Sequence, residues 1–145
     1  MDNKPTISFR GLNIRGGQDN TKRYNMFEYL KGHHIDYPTN VADINLLSET
    51  HCRRPRQGEK WGEEWSSNEN NSIWSCGTAK QKGVAILIND RLRTNYPDMK
   101  ISHVLKDTCG RYIKCILTIN EYKFRIVVVY APNDPIQRIK FFIDL

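Results

Sequence analysis

The chain lacks long apolar runs and any targeting signal. No apolar stretch approaches the roughly 20 residues that cross a bilayer, and the first five residues have no charged-then-apolar leader pattern. Internal repeats, low-complexity tracts and linkers are also missing. We therefore expect an intracellular protein, nuclear or cytoplasmic, that does not enter a membrane.

Cysteine is sparse and irregularly spaced. There are four cysteines and no Cys-x-x-Cys pair, so the spacing predicts neither a zinc site nor a disulfide framework. Cys115 alternates with Ile113 and Leu117, which predicts a place in the core. The other three are Cys52, Cys76 and Cys109.

The charge balance is basic without being extreme. Lys and Arg outnumber Asp and Glu by 22 to 16, which gives a formal charge of +6. The chain of 145 residues is 39% hydrophobic and 26% charged, as is ordinary for a globular domain with one core. Excess cations favour a polyanionic partner such as DNA, because each phosphate contacted releases counterions.

A run of β-branched residues leads into a candidate site. Four such residues in a row need both faces covered, so residues 125–130 are predicted to form a central strand. Pro132 ends this strand, because proline has no amide proton to donate. Tyr130 and Asn133 then lie at the end of this strand. A phenol and a carboxamide in that position can form hydrogen bonds with a phosphate or a metal-bound water. An ordinary strand end with a turn is the alternative interpretation.

Two earlier strands also end in polar residues. The alternating pattern of residues 7–17 places Asn13 near the end of a first strand, and residues 41–51 place Glu49 at the end of a second. Residues 22–31 between them predict a helix, with Asn20 or Thr21 as its N-cap. Strand, helix and strand in this order imply parallel pairing. Because parallel strands end at the same edge of a sheet, we expect Asn13 and Glu49 to meet there.

Four short motifs follow one another along nearly the whole chain. They are Leu-Asn-Ile-Arg-Gly at 12–16, Leu-Ser-Glu-Thr-His at 47–51, Gly-Val-Ala-Ile-Leu-Ile at 83–88 and Val-Tyr-Ala-Pro-Asn at 129–133. In this order they resemble the endonuclease domains of LINE-type (non-LTR) retrotransposons. Those domains belong to the endonuclease/exonuclease/phosphatase superfamily, which also contains deoxyribonuclease-I-like enzymes.

The resemblance implies a Mg²⁺-dependent phosphodiesterase that acts on the DNA backbone. It makes Glu49 a direct Mg²⁺ ligand and Asn13 a residue that supports the metal site. Tyr130 and Asn133 would contact the scissile phosphate.

Two motifs of that family do not occur in this chain. The family continues with a Gly-Asp-Phe-Asn motif and ends with a Ser-Asp-His motif, which supplies an essential His and its acidic partner. His51 lies two residues past Glu49 but has no visible acidic partner. Packing or a phosphate contact is therefore expected of His51 rather than general-base work.

The missing motifs lead to an expectation about the fold. We expect an α/β protein whose mixed β-sheet carries a flanking helix, forming half of a deoxyribonuclease-I-like four-layer sandwich. Residues 1–145 would be the N-terminal part of the domain, truncated at its C-terminus, with the second sheet missing. The implied partner is the missing C-terminal half, with self-association as the alternative.

The final residues predict a helix with an unpartnered apolar face. Asp134 is the expected N-cap and Pro135 the first helical residue. Ile136, Ile139 and Ile143 then share one face. Such a face predicts association or aggregation of the isolated chain.

A basic cluster directly follows the Glu49 strand. Arg53, Arg54 and Arg56 should project from the same edge as the site. They either contact a DNA backbone or form a solvated surface loop. Trp61 and Trp65 are expected to anchor this region onto the core rather than to stack on bases.

The second half of the chain is rich in strand signals. Residues 101–105 suggest an edge strand, residues 112–119 alternate cleanly, and residues 120–123 predict a hairpin turn before the next strand. Three functions fit the whole pattern. The first is a DNA endonuclease domain, inactive as this fragment; the alternatives are a non-catalytic nucleic-acid-binding remnant and a phosphatase of the same superfamily.

Overall fold

The structure is a computed structural model that describes residues 4–33, 41–77 and 82–145. Over these residues seven strands form two sheets, and two helices pack on one face of the first sheet. No helix in these ranges is long and apolar enough to cross a membrane.

The first sheet is mixed and has the order β1-β2-β4-β3. β1 and β2 run parallel, which confirms the pairing expected from strand, helix and strand. The pairs β2–β4 and β3–β4 are antiparallel. The strands are β1 (Phe9–Asn13), β2 (Ile44–Ser48), β3 (Ser72–Ser75) and β4 (Val84–Ile88).

The second sheet is antiparallel and has the order β5-β6-β7. Asn120 and Glu121 join β6 to β7 at φ of 49° and 74°, as a two-residue hairpin turn with two left-handed residues requires. The predicted hairpin is confirmed. The strands are β5 (Lys100–Lys106), β6 (Tyr112–Ile119) and β7 (Tyr122–Val129).

Two expectations about these sheets were wrong. The chain contains strands of both sheets, so the second sheet is present in part rather than missing. β7 is an edge strand, not a central one. Its Val127 side chain points away from the core and is exposed, because a run of valines does not reveal whether a neighbouring strand exists.

The described residues form four α-helices. α1 begins at Asn20, and its N-cap is Asp19, whose Oδ1 accepts a hydrogen bond from the Lys22 amide (2.8 Å), rather than Asn20 or Thr21. The final helix has Asp134 as N-cap and Pro135 at its start, as predicted. The helices are α1 (Asn20–Leu30), α2 (Pro55–Trp65), α3 (Asp90–Asn95) and α4 (Pro135–Asp144), and a 3-10 turn spans Glu69–Asn71.

The core has two layers that share β4. Alternate β4 residues face the second sheet and pack with Ile113 and Leu117, while Ala85 and Leu87 face the helices and pack with Trp61. β4 is therefore buried on both faces, as its uninterrupted apolar sequence predicts. The cluster between the sheets also includes Cys115, which confirms its predicted place in the core.

Asn45 is buried, and its side-chain amide has no hydrogen-bond partner among the described residues. Asn45 of β2 is 0% exposed, and within the described residues neither its Oδ1 nor its Nδ2 has a hydrogen-bond partner. A buried amide without partners costs about 1–3 kcal/mol. We expect Asn45→Val to raise the free energy of unfolding by about 1–2 kcal/mol, measured by urea denaturation.

Asn71 provides the matched control. It is equally buried, but its Nδ2 donates to Asp90 Oδ1 (2.6 Å) and its Oδ1 accepts from Arg93 Nε (2.7 Å). Asn71→Val should therefore destabilise the protein. Destabilisation by Asn45→Val as well would show that the Asn45 amide is satisfied after all.

Candidate active site

Asn13 is the last residue of β1, and Glu49 follows the adjacent strand β2. Asn13 pairs with Ser48 in the parallel register of β1 and β2, and Glu49 comes directly after Ser48. The Ile14 amide donates to the Ser48 carbonyl oxygen (3.1 Å), and the Gly16 amide donates to the Glu49 carbonyl oxygen (2.7 Å). The backbones that carry Asn13 and Glu49 are thus held side by side.

The two side chains differ in how firmly they are held. Asn13 is exposed, and its Oδ1 accepts a hydrogen bond from the Arg15 amide (3.1 Å), which orients the carboxamide. Glu49 is half-buried. None of the hydrogen bonds found among the described residues involves its carboxylate, which therefore retains its full capacity to accept.

The same edge carries loops from both sheets. The Thr50 amide donates to the Gly83 carbonyl oxygen (3.0 Å), and the Gly83 amide donates to the Gly110 carbonyl oxygen (2.9 Å). The Tyr130 amide donates to the carbonyl oxygen of Arg111, at 2.6 Å. These bonds lead from the end of β2, through the β5–β6 turn, to the end of β7. We call this edge, with its loops, the rim.

Tyr130 lies on the rim, and Asn133 lies in the turn that follows. Tyr130 is half-buried and packs against the core between the sheets. Asn133 is exposed, and Arg138 holds its turn by donating from Nη2 to the Asn133 carbonyl oxygen (2.6 Å). Within the described residues no hydrogen bond connects either side chain to Asn13 or Glu49.

Left-handed backbone conformations recur around the rim. Glu49 has φ of 51° and His51 has φ of 58°, and Arg15 on the facing loop has φ of 51°. Such conformations are uncommon for residues other than glycine, and where they persist they often accompany functional sites. The glycines with positive φ on the rim are Gly16, Gly83 and Gly110.

His51 packs against the loop after β1. A Cβ atom on Gly16 would fall 2.6 Å from His51 Nδ1, so only glycine leaves room for the ring. The His51 amide donates to the Lys82 carbonyl oxygen (2.9 Å). No carboxylate among the described residues bonds the ring, so the structure gives His51 a packing role.

The donor atoms on the rim suit one kind of metal site. Among residues 4–33, 41–77 and 82–145, no group of three or more His, Cys, Asp and Glu could enclose a metal ion. Mg²⁺, however, often binds through one or two carboxylates and fills its other positions with water and substrate oxygens. The Glu49 carboxylate and the second lone pair of Asn13 Oδ1 fit that mode.

Solved structures share this arrangement of sheets and helices. Humanized D. rerio TDP2 with 14 mutations matches with a TM-score of 0.56 at 12% identity, over 95% of this chain and 54% of that chain. The endonuclease domain of TRAS1, a telomere-specific non-LTR retrotransposon, matches with a TM-score of 0.51 at 12% identity, over 97% of this chain and 53% of that chain. This chain therefore has the deoxyribonuclease-I-like fold of these two structures.

The fold expected from the four sequence motifs is thereby confirmed. No protein-family model matches the sequence. The chain spans about half the length of the solved structures that it matches.

Within this fold the basic cluster overlaps the start of a helix. Pro55 takes the first position of α2, and Arg54 is the N-cap, without a capping bond from its side chain. Both interpretations of the cluster assumed a loop, and this was wrong for Arg56, which lies in the first turn of α2; Pro at a first helical position looks the same in sequence as Pro in a turn. Arg53, Arg54 and Arg56 are exposed, and with Lys60 they line an open groove of about 700 Å³ between α1 and α2.

The expectation that no disulfide forms was also wrong. Cys52, in the loop after β2, is bonded to Cys76 at the end of β3, with their Cα atoms 4.7 Å apart. The two residues are 24 positions apart in sequence. Their proximity depends on the pairing of β2 and β3 with β4, which residue spacing does not reveal.

Sequence reasoning missed a buried arginine that joins the two helices. Arg23 of α1 forms hydrogen bonds with both carboxylate oxygens of Glu64 (2.6 and 2.9 Å) and donates to the Gly17 carbonyl oxygen (2.7 Å). Its guanidinium also lies 4.7 Å from the ring centroid of the buried Trp61. Arg23 therefore fixes α2 against α1 and the loop after β1, and no local sequence signal distinguishes it from a surface arginine.

Two glutamines connect the rim to the basic cluster, and one carried a signal. Gln18 and Gln57 bond each other reciprocally at 3.0 Å, and Gln18 Nε2 also donates to the His51 carbonyl oxygen (2.7 Å). Gln57 Oε1 accepts from the Arg53 amide (2.8 Å). Gln at the third helical position is half of the capping-box signature and so marked the start of α2. The Ser or Thr that completes the signature is replaced by Arg54, and Gln57 bonds the amide of the residue before this N-cap.

Proposed function

We propose that this chain carries part of a Mg²⁺-dependent phosphodiesterase site that acts on DNA. The observation that supports it best is the shared rim, where Asn13 ends β1, Glu49 follows the parallel strand β2 and Tyr130 follows β7. A basic surface adjoins this rim. The side chains on the rim are of the kinds that bind a metal ion or donate hydrogen bonds to a phosphate.

Each rim residue has a role in this proposal. Glu49 would bind Mg²⁺ through its free carboxylate, with Asn13 as a neutral oxygen ligand or as a support for a metal-bound water. When bound, the ion would polarise a phosphate oxygen and offset its developing charge. The Tyr130 hydroxyl and the Asn133 carboxamide would donate hydrogen bonds to the phosphate and hold it in place.

The basic cluster would contact the DNA backbone next to the scissile bond. Arg53, Arg54 and Arg56 begin four residues after Glu49, and no described carboxylate pairs with them. Unpaired cations at the start of a helix favour binding of phosphate groups. Such contacts position a nucleic acid without reading its sequence.

The salt dependence of DNA binding tests this role. We expect simultaneous Arg53→Ala, Arg54→Ala and Arg56→Ala changes to weaken binding and to reduce the slope of log K against log salt by about 2–3. The affinity for a fluorescent duplex, measured without metal at several salt concentrations, gives this slope.

A second triple variant controls for net charge. Lys100, Lys123 and Arg125 are exposed on the second sheet, away from the rim. Replacing these three by Ala removes the same charge and should leave most of the slope intact. Equal slopes in both triple variants and the parent would remove the basic cluster from the interface.

A second candidate function is DNA binding without catalysis. It is favoured by the absence, within the described residues, of any cluster of three metal-binding side chains. In that case adding Mg²⁺ would not change the DNA affinity of the parent or of the Glu49→Gln variant. Under the leading proposal, Mg²⁺ strengthens binding in the parent more than in Glu49→Gln.

A further inference from the structure

The Cys52–Cys76 disulfide lies beside the candidate active site. Cys52 is three residues after Glu49 and is 0% exposed, and Cys76 is 8% exposed. The Cys52 amide donates to Thr50 Oγ1 (3.2 Å), and Thr50 is bonded in turn to Gly83 on the rim. The disulfide therefore anchors the loop that carries Glu49.

The same disulfide supports the start of α2. Cys52 Sγ lies 3.4 Å from the Arg54 carbonyl oxygen. On the other side, a Cβ atom on Gly58 would come within 3.0 Å of Cys76 Sγ, so the first turn of α2 rests directly on the disulfide. The two sulfur atoms thus lie beside the backbone at Arg54 and at Gly58, on either side of Arg56 in sequence.

We propose that this disulfide is a reversible redox site that sets the position of the Glu49 loop and of the basic cluster. In the oxidised state the segment 49–58 is tied to β3, and the arginines are held together. In the reduced state that tie is lost, and only Gln57 and packing keep the start of α2 in place. Affinity for DNA phosphates then falls, and this part of the inference rests on the proposed function.

The chemistry needs only a small-molecule thiol and its disulfide. A thiolate attacks Cys76 Sγ, the more exposed sulfur, and forms a mixed disulfide while Cys52 leaves as a thiolate. A second thiolate then attacks the outer sulfur of the mixed disulfide and releases Cys76. Two thiols become one small disulfide, and each cysteine gains one proton and one electron; oxidation follows the reverse path. Disulfides of reducing compartments are usually transient in this way.

The two remaining cysteines differ in reactivity. Cys109 is exposed in the turn before Gly110, so it can form disulfides between molecules. Burial raises the pKa of the Cys115 thiol, because the thiolate is poorly solvated in the core. Cys109→Ser therefore removes the competing thiol, and Cys115 should stay unlabelled in the folded protein.

The test compares oxidised and reduced forms of the Cys109→Ser chain. Each form is prepared in glutathione buffers, and alkylation with mass spectrometry counts its free thiols. Amide hydrogen exchange over residues 49–58 and DNA affinity in the absence of metal are then measured. We expect faster exchange on reduction, about threefold to tenfold weaker DNA binding, and a salt slope lower by about 1–2.

The variant with both Cys52→Ser and Cys76→Ser should behave like the reduced form at every glutathione ratio. Identical exchange in the two redox states, or no disulfide in oxidised glutathione, would overturn the proposal. If exchange changes while DNA is bound equally, the link to DNA is wrong. If exchange changes and neither form binds DNA, the redox site stands and the proposed function fails.

Discussion

Residues 1–145 alone are expected to leave supercoiled plasmid DNA uncut in the presence of Mg²⁺. Metal-assisted hydrolysis of a phosphodiester needs a metal ligand, groups that hold the phosphate and a group that orients or deprotonates water. In the proposed site Glu49 would supply the first, and Tyr130 with Asn133 would supply the second. The prediction of inactivity depends on the third, because no histidine on the rim has an acidic partner among the described residues.

Adding the lacking groups should restore cleavage. We expect nicking when the chain is joined to a downstream half that carries the Gly-Asp-Phe-Asn and Ser-Asp-His motifs. In that joined protein Glu49→Gln should slow nicking by about a hundredfold or more, because the polarisation supplied by a bound metal is worth several kcal/mol. Conversion of supercoiled to nicked plasmid measures the rate.

Glu63→Gln is the matched control for the loss of a carboxylate. Glu63 is exposed on α2 and lines the groove between the helices, but it lies away from the rim. Its replacement should leave nicking nearly unchanged. Nicking by residues 1–145 alone that disappears in Glu49→Gln would contradict the prediction, and His51 would then be the first residue to test as the water activator.

The isolated chain is also expected to self-associate and to bind a hydrophobic dye. α4 exposes Ile136, Ile139, Phe142 and Ile143, and β7 has an unpaired edge among the described strands. Apolar side chains clustered on one helix and an open strand edge both favour association with further polypeptide. We propose that this surface contacts either further chain of the same domain or a second copy.

Charge placed on that surface should suppress both effects. The double variant Ile139→Glu and Ile143→Glu is expected to shift the chain towards monomer in analytical ultracentrifugation and to lower dye fluorescence severalfold. Tyr24→Glu is the matched control, because Tyr24 and Ile139 are each 64% exposed but Tyr24 lies on α1. A parent chain that is monomeric, binds no dye and unfolds cooperatively would refute the association surface.

The cap of α4, the hairpin and the parallel strand pair were predictable because each depends on neighbours in sequence. Asp134 caps its own helix three residues on, and Asn120 turns the chain between adjacent strands. The placement of Asn13 and Glu49 at one edge follows from a short strand–helix–strand unit, which has few ways to fold.

The sequence by itself therefore determined which segments form most of the helices and strands, and the order of the residues proposed for the rim. Only the tertiary structure decided that β7 is an edge strand, that Asn45 is buried without a partner and that Cys52 meets Cys76. It also decided that Arg23 joins two helices from within the core. Each of these depends on segments far apart in the chain, and the side chains involved look locally like ordinary strand, loop or surface residues.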